Sequence, residues 1–114
     1  MADFLVVNIK ENSPTVELAI ANFLIALDDA KAQGAKVIKI IHGYGSSGVG
    51  GAILRQLKTL LPTMKRKKQI TDYISGADWN IANKKVFELI TKIPPCALDE
   101  DLGTMNIGMT IIIL

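Results

Sequence analysis

Four runs of mostly apolar residues are spaced along the chain. They are Phe4–Ile9, Lys36–Ile41, Gln69–Ile74 and Met109–Leu114. Their length and their content of β-branched residues are typical of buried strands. In the intervals between them, apolar positions recur every three or four residues, as on one face of a helix. The pattern therefore predicts alternating strands and helices around a single sheet.

Local signals predict where the helices begin and end. The first helix is predicted to start with Ser13 as N-cap and Pro14 at the first helical position, and to stop at Gly34. The second follows a glycine-rich loop and is predicted to end at Pro62. A third is predicted over 78–93, with Asp78 as its N-cap and its end before two prolines. The expected order is β-α-β-α-β-(α)-β, in which the first strand–helix–strand unit forms a right-handed parallel crossover.

Composition narrows the class of protein. A chain of 114 residues suits one domain, 1–114, and a hydrophobic content of 49% excludes a disordered chain. One cysteine and one histidine exclude an internal disulfide and a Cys/His zinc cluster. No apolar run approaches membrane-span length, and the first residues lack a basic leader. We expect a single cytoplasmic domain that does not act at a membrane.

The net charge of +2 hides a strong segregation of charge along the sequence. The stretch 30–71 contains no acidic residue but nine basic ones, so the rest of the chain is net acidic. The nine are Lys31, Lys36, Lys39, Arg55, Lys58, Lys65, Arg66, Lys67 and Lys68. Such a cluster favours a polyanionic partner, although a solvated lysine-rich face remains the alternative.

A glycine-rich loop follows the second strand. Gly43, Gly45 and Gly48 match the G-x-G-x-x-G spacing at which a backbone approaches a phosphate near a helix N-terminus. The loop follows the second strand rather than the first, and no G-K-[ST] is present, which argues against a Rossmann domain and a P-loop. Two alternatives stay open: a loop needed only for turning, and a His42 ring that hydrogen-bonds a neighbouring backbone carbonyl.

Four short segments carry a resemblance to a known family. Ile41–Gly45, followed by Leu54-Arg55, resembles the I-H-G-x-G and L-R signatures of the small MutS-related (Smr) domain. Thr15–Glu17 and Gly108–Leu114 resemble its helix-opening and terminal-strand segments. The resemblance covers the chain in order, apart from an insertion of about 76–106. It implies an α/β two-layer sandwich with about four strands in a mixed sheet, and a DNA or RNA partner bound largely independently of sequence.

The resemblance and the charge pattern together give the candidate site. His42, Gly43, Gly45 and Arg55 map onto the family's shared loop and helix. The full set predicted to bind nucleic acid is His42, Gly43, Tyr44, Gly45, Gly48, Arg55, Lys58, Lys65, Arg66, Lys67 and Lys68. The glycine loop and the lysine-rich cluster are expected to form one surface.

The same resemblance raises the question of catalysis. Some family members are metal-assisted DNA-nicking or RNA-cleaving enzymes that carry an L-D-x-H-G motif after the first strand. This chain has Ile9–Ser13 there, with Lys10 in place of the acid and Asn12 in place of the histidine. Hydrolysis of a phosphodiester needs a base or a metal-held water, so this change argues against robust nuclease activity. The enzyme alternative would use His42 with Mg²⁺ or Mn²⁺, whereas binding alone requires no cofactor.

Two further classes of function stay open. The loop could bind a nucleotide or phosphate beneath the inserted helix 78–93 as a lid, or the chain could be a protein-interaction module. In the latter, Trp79 and Phe87 would face a partner, although both could instead cover the sheet. A homodimer is also open. The carboxylates of Asp99–Asp101 are expected to form a solvated loop rather than a metal site.

Overall fold

The computed structural model describes residues 3–12, 14–44 and 49–114. These contain four strands, three helices and two short 3₁₀ turns. The elements are β1 (Phe4–Asn8), α1 (Val16–Ala32), β2 (Val37–Ile41), α2 (Val49–Arg66), β3 (Asp72–Ser75), a 3₁₀ turn (Gly76–Asp78), α3 (Lys84–Lys92), a second 3₁₀ turn (Pro94–Leu98) and β4 (Met109–Ile113). Within this part of the chain, none of the helices is both long and apolar enough to cross a membrane.

The four strands form one mixed sheet in the order β1-β2-β4-β3. β1 and β2 are parallel, and β4 is antiparallel to both β2 and β3. β1, β2 and β3 therefore run in the same direction and finish at the same end of the sheet. We call this the glycine-loop end, because β2 leads there into His42–Tyr44. The opposite end, where β2 and β3 begin, is called the lysine end.

Helices α1 and α2 pack side by side on the first face of the sheet. Their buried residues, with those of the sheet, make one core. Its large members include Ile9, Phe23, Leu27, Ile38, Ile40, Ile53, Leu57, Leu61, Met64, Ile70 and Ile112. The predicted α/β class, with helices layered on a four-stranded mixed sheet, is confirmed.

The segment between β3 and β4 covers the second face. Trp79, Val86, Leu89 and Cys96 are buried there, against sheet residues of the second core cluster such as Ile111. Trp79 is 0% exposed, so the hypothesis that it faces a partner is wrong. Helix α3 belongs to this packed layer, which argues against a lid that closes over the glycine loop. Only Phe87 of the two aromatic residues is open to solvent, at 59%.

A buried ion pair lies under the inserted segment. The Lys39 side chain is 2% exposed, and its Nζ lies 2.8 Å from Asp99 Oδ1 and 2.5 Å from Asp101 Oδ2. Trp79 Nε1 donates to Asp99 Oδ2 at 3.0 Å. Burial lowers the pKa of Lys39, but the hydrogen bonds and charges of the two carboxylates outweigh it and raise the pKa above its ordinary value. The expected solvated loop at 99–101 is thus wrong for both aspartates, and Lys39 adds nothing to the surface charge.

The starts of two helices differ from the predictions. Thr15 caps α1 by accepting a hydrogen bond from Leu18 N at 3.2 Å; Ser13, the predicted cap, lies outside the described residues. Asn83 caps α3 through Lys85 N and Val86 N, whereas Asp78, the predicted cap, belongs to a 3₁₀ turn. The predicted stop of α1 is confirmed, since Gly34 follows the helix with a φ of +77°.

Helix α2 does not end at Pro62. It continues for another turn to Arg66, with Pro62 inside it and exposed. A proline in a helix interior removes one hydrogen bond, but on the outward side the freed carbonyl can be solvated by water. This continuation changes the candidate site, because Lys65 and Arg66 become helical residues rather than loop residues.

Candidate functional site

The glycine loop begins on a fixed backbone. The amides of His42 and Gly43 both donate to the carbonyl oxygen of Gly108, at 2.9 and 3.0 Å. Gly43 has a φ of +75°, a conformation that favours glycine. The first two residues after β2 are therefore tied to the start of β4. Gly45 and Gly48, two of the predicted site residues, lie outside the described residues.

His42 is enclosed in this backbone. Its side chain is 0% exposed, with Nδ1 2.6 Å from Gly43 O and Nε2 2.9 Å from Thr110 Oγ1. A carbonyl oxygen can only accept, so Nδ1 carries the proton and Nε2 accepts from the Thr110 hydroxyl. Burial lowers the pKa of His42 below its ordinary value, which favours this neutral form. In this arrangement neither ring nitrogen is free to contact a phosphate or activate a water molecule.

Close contacts continue along the glycine-loop end. A Cβ added to Gly76 would lie 1.7 Å from the carbonyl oxygen of Asn106, so the two ends of the inserted segment meet there without space for a side chain. A Cβ on Gly108 would lie 3.1 Å from Tyr44 Cδ1, which places the Tyr44 ring beside Gly108. Tyr44 is 56% exposed. Of the predicted loop residues described by the structure, it alone presents its side chain to solvent.

Helix α2 carries its cations on one outward face. Positions 55, 58, 65 and 66 are spaced i, i+3, i+10 and i+11, which places them on one side of a helix. All four side chains, Arg55, Lys58, Lys65 and Arg66, are exposed, and they lie opposite the buried Ile53, Leu57, Leu61 and Met64. The helix contains no acidic residue. We call these four cations the α2 stripe.

The stripe runs away from the glycine loop. With a rise of about 1.5 Å per residue, Arg55 lies about 9 Å beyond the first residue of α2 and Lys65 about 24 Å beyond it. Lys67 and Lys68 follow directly, where the chain turns at the end of the helix. Lys65–Lys68 therefore do not lie beside the start of the glycine loop, and a surface that includes both must extend along the whole of α2. The reason is that α2 runs antiparallel to β2 and β3. Because it continues past Pro62, its last turn lies at the lysine end.

Cations from several elements converge at the lysine end. Lys36 precedes β2, Lys31 in the last turn of α1 donates from Nζ to the carbonyl oxygen of Gln69, and Lys85 and Lys92 extend from α3. Sequence reasoning missed the two α3 lysines. The available signal was their helical spacing relative to the buried Val86 and Leu89.

Asp72 is the acid that organises this end. Its Oδ1 lies 3.1 Å from Lys65 Nζ, and its Oδ2 lies 2.9 Å from Lys85 Nζ. Partial burial raises the pKa of Asp72, but hydrogen bonds from Lys85, from the amide of Tyr73 and from Lys65 outweigh it and lower the pKa below its ordinary value. The carboxylate thus joins α2 to α3. Among residues 3–12, 14–44 and 49–114, no three His, Cys, Asp or Glu side chains are grouped so as to hold a metal ion.

Comparison with known families identifies the part of the chain that carries the glycine loop and α2. A family model for the Smr domain matches residues 13–77, which is more than half of the chain and contains α1, β2, the glycine loop, α2 and β3. The chain belongs to the Smr domain family. No curated protein and no solved structure matches it. The Smr match ends inside the first 3₁₀ turn, so α3, its lysines and β4 lie beyond the matched region.

Proposed function

We propose that this Smr domain binds nucleic acid, with the phosphate backbone lying along the α2 stripe. The observation that carries the proposal is the stripe itself: four exposed cations on one face of a helix without an acidic residue. The family supports the same class of partner, since Smr domains are known for nucleic-acid binding and nicking. The DNA or RNA partner expected from the sequence is retained, with a different placement of the contact.

The dimensions of the stripe suit a backbone rather than a single phosphate. Arg55 and Arg66 are separated by about 16 Å along the helix axis. One strand of B-DNA carries a charge about every 3.4 Å along its axis, so this length corresponds to about five phosphates. Four cations can therefore each meet a different phosphate. Contacts of this kind position the chain without reading base identity, which agrees with sequence-independent binding.

Hydrolysis is not part of the proposal. The expected catalytic candidate, His42, is buried with both ring nitrogens hydrogen-bonded. Its geometry is that of a residue that holds the loop to β4. The role proposed for His42 is therefore to fix the backbone from which α2 begins.

The proposal is tested by the salt dependence of binding. Fluorescence anisotropy would follow the titration of a 30-bp DNA duplex, a 30-nucleotide single strand and an RNA hairpin over a series of salt concentrations. Four phosphate contacts on the α2 stripe alone predict that log affinity for the duplex falls with log salt at a slope at least as negative as about −3.6. A slope near zero, or the absence of binding to all three probes at low salt, would overturn the proposal.

A double variant locates the contact. Arg55→Gln with Lys58→Gln removes two of the four cations and is expected to make the slope less negative by about 1.8. Gln56→Ala is the matched control, because Gln56 is an exposed, uncharged neighbour on the same helix. The control should bind as the wild type does. Equal slopes for the double variant and the wild type would show that α2 is not the contact.

A further inference from the structure

The inserted segment brings its own cations to the lysine end. Lys84, Lys85 and Lys92 are exposed on α3, whose other side is buried through Val86 and Leu89. The segment lies beyond the Smr match, so its lysines are not part of the matched region. Lys85 and Lys92 are about 10 Å apart along the helix, a spacing that suits two separate phosphates of a chain.

The α3 lysines are continuous with the end of the α2 stripe. Asp72 contacts Lys65 on one side and Lys85 on the other, at 3.1 and 2.9 Å. The side chains of these lysines are still 48% and 54% exposed. An ammonium group has three N–H donors, so each lysine keeps donors for a second acceptor. The Asp72 carboxylate therefore holds two cations from different elements beside each other without saturating either.

Two hollows adjoin this ion-pair cluster. One, between β3 and the start of α3, is lined by residues that include Lys65, Ser75, Asn83 and Lys84. The other, between α3, the start of β2 and the end of β4, is lined by residues that include Lys36, Thr71 and Lys92. Asp72 and Lys85 line both. Two further acids, Asp78 in the first hollow and Glu88 in the second, also take part in the lining.

We propose that the inserted segment extends the nucleic-acid contact of this Smr domain from the α2 stripe onto α3. The phosphate backbone leaves Lys65, passes Lys84 and Lys85, and reaches Lys92 beside Lys36. This inference rests on the proposed function and adds the lysines of α3 to the predicted contact surface. Because the cations are distributed over two hollows and two helices, the ligand is a polymer of phosphodiesters and not a mononucleotide.

A gain of binding gives the sharpest test, because a folding defect cannot produce it. Glu88→Gln removes an acid that lies between Lys85 and Lys92 on the proposed path and is expected to tighten binding of the 30-bp duplex about twofold at low salt. The matched control is Glu11→Gln, an exposed acid that follows β1 at the glycine-loop end. It should leave the affinity unchanged. Tighter binding by Glu11→Gln but not by Glu88→Gln would overturn the inference.

The complementary test removes the cations. A Lys84→Gln, Lys85→Gln, Lys92→Gln triple variant is expected to make the salt slope less negative by about 0.9 for each phosphate that it no longer neutralises, and by about 2.7 for three. Circular dichroism and the thermal midpoint would verify folding, since Lys85 pairs with Asp72. If the triple variant keeps the wild-type slope while the slope of the α2 double variant becomes shallower, the inference fails and the proposed function stands. Absence of binding by the wild type would overturn both.

A small-ligand control distinguishes the polymer from its monomer. Calorimetry with adenosine monophosphate at moderate salt is expected to detect no binding, because a single phosphate meets at most one part of the path. Saturable binding of the nucleotide that disappears in the triple variant would overturn the polymer assignment.

Discussion

The two ends of the sheet differ in how their residues are used. At the glycine-loop end, residues are held by close contacts: His42 hydrogen-bonds Gly43 O and Thr110 Oγ1, and a Cβ added to Gly76 would clash with the backbone of Asn106. At the lysine end, long cationic side chains reach into solvent around Asp72. The I-H-G-x-G motif begins where β2 ends, whereas the lysines paired with Asp72 lie at the opposite end of the sheet.

This difference separates residues that fix shape from residues that supply charge. A tightly packed end should be sensitive to added atoms and broken hydrogen bonds, and insensitive to charge. An end made of exposed lysines should respond to charge and tolerate changes in shape, because surface ion pairs contribute little to stability. Each of the following substitutions is chosen to break or sharpen that contrast.

The largest effect is expected from Gly76→Ala. The new Cβ would lie 1.7 Å from the Asn106 carbonyl oxygen and close to the Met109 carbonyl oxygen, so the backbone at the base of the inserted segment must move. The free energy of unfolding, measured by urea denaturation, should fall by about 3 kcal/mol or more.

Gly103→Ala provides the control for that substitution. It adds the same methyl group in the same segment, where no atom lies within 4 Å, although the φ of +85° is strained for alanine. The cost should be about 1 kcal/mol. A Gly76→Ala variant that is no less stable than Gly103→Ala would contradict the close packing described at this end.

Much of the fold could be predicted from the sequence because its signals are local. The apolar runs predicted strands close to Phe4–Asn8, Val37–Ile41 and Met109–Ile113. The stop at Gly34 depended only on the conformation of one residue. The third strand was predicted to start three residues early, because the apolar Ile70 continues the strand-like pattern, whereas Gln69–Thr71 form a bend before β3.

The site was less predictable because it depends on where a helix ends and which way it runs. The expected stop at Pro62 kept Lys65 in a loop that could have folded back toward the glycine loop. The hydrogen bond from Thr110 to His42 joins residues 68 positions apart, and no local sequence pattern predicts it. The segregation of charge along the chain was visible in the sequence, but the positions of those charged residues in the fold were not. Lys39, counted with the other cations, is buried against Asp99.

The next effect concerns His42→Asn. Replacing the ring should lower the free energy of unfolding by about 1–3 kcal/mol at pH 7, because Thr110 and the Gly43 carbonyl lose a buried partner. The pKa of His42 is lowered by burial, so the unfolded chain binds the proton more readily than the folded one. Wild-type stability should therefore be full above pH 6.5 and fall as the pH drops below it.

The pH profile identifies the residue responsible for the loss of stability below pH 6.5. His42 is the only histidine in the chain, and the carboxylates with shifted pKa values, Asp72 and Asp101, titrate below their ordinary range. Chemical denaturation at pH 5, 6 and 7 should show a decline for the wild type and a flatter profile for His42→Asn. Parallel profiles would contradict the enclosed, neutral ring.

A smaller effect on stability is expected at the lysine end. Asp72→Asn removes two ion pairs whose lysines are about half exposed, so the free energy of unfolding should change by less than about 1 kcal/mol at pH 7. The pKa of Asp72 is lowered in the fold, so this contribution is present above pH 3.8 and is lost as the pH falls further. At pH 7, affinity for the DNA duplex should rise, because one negative charge leaves the phosphate path. A decrease in affinity would mean that Asp72 positions Lys65 and Lys85 more than it repels the ligand.

The smallest effect is expected from Lys10→Gln, which should leave the salt dependence of duplex binding unchanged. Lys10 is exposed just after β1, beside the glycine loop, since Ile9 N donates to Ile41 O at 3.0 Å. If the loop bound a phosphate, Lys10 would neutralise a neighbouring one, and its removal would change the salt slope by about 0.9, as expected for Lys58→Gln on α2. Because we assign the backbone to α2 and α3, the slope for Lys10→Gln should equal that of the wild type in the same duplex titration. Equal changes for Lys10→Gln and Lys58→Gln would mean that the phosphate path begins at the glycine loop, and the two ends would then differ in packing but not in function.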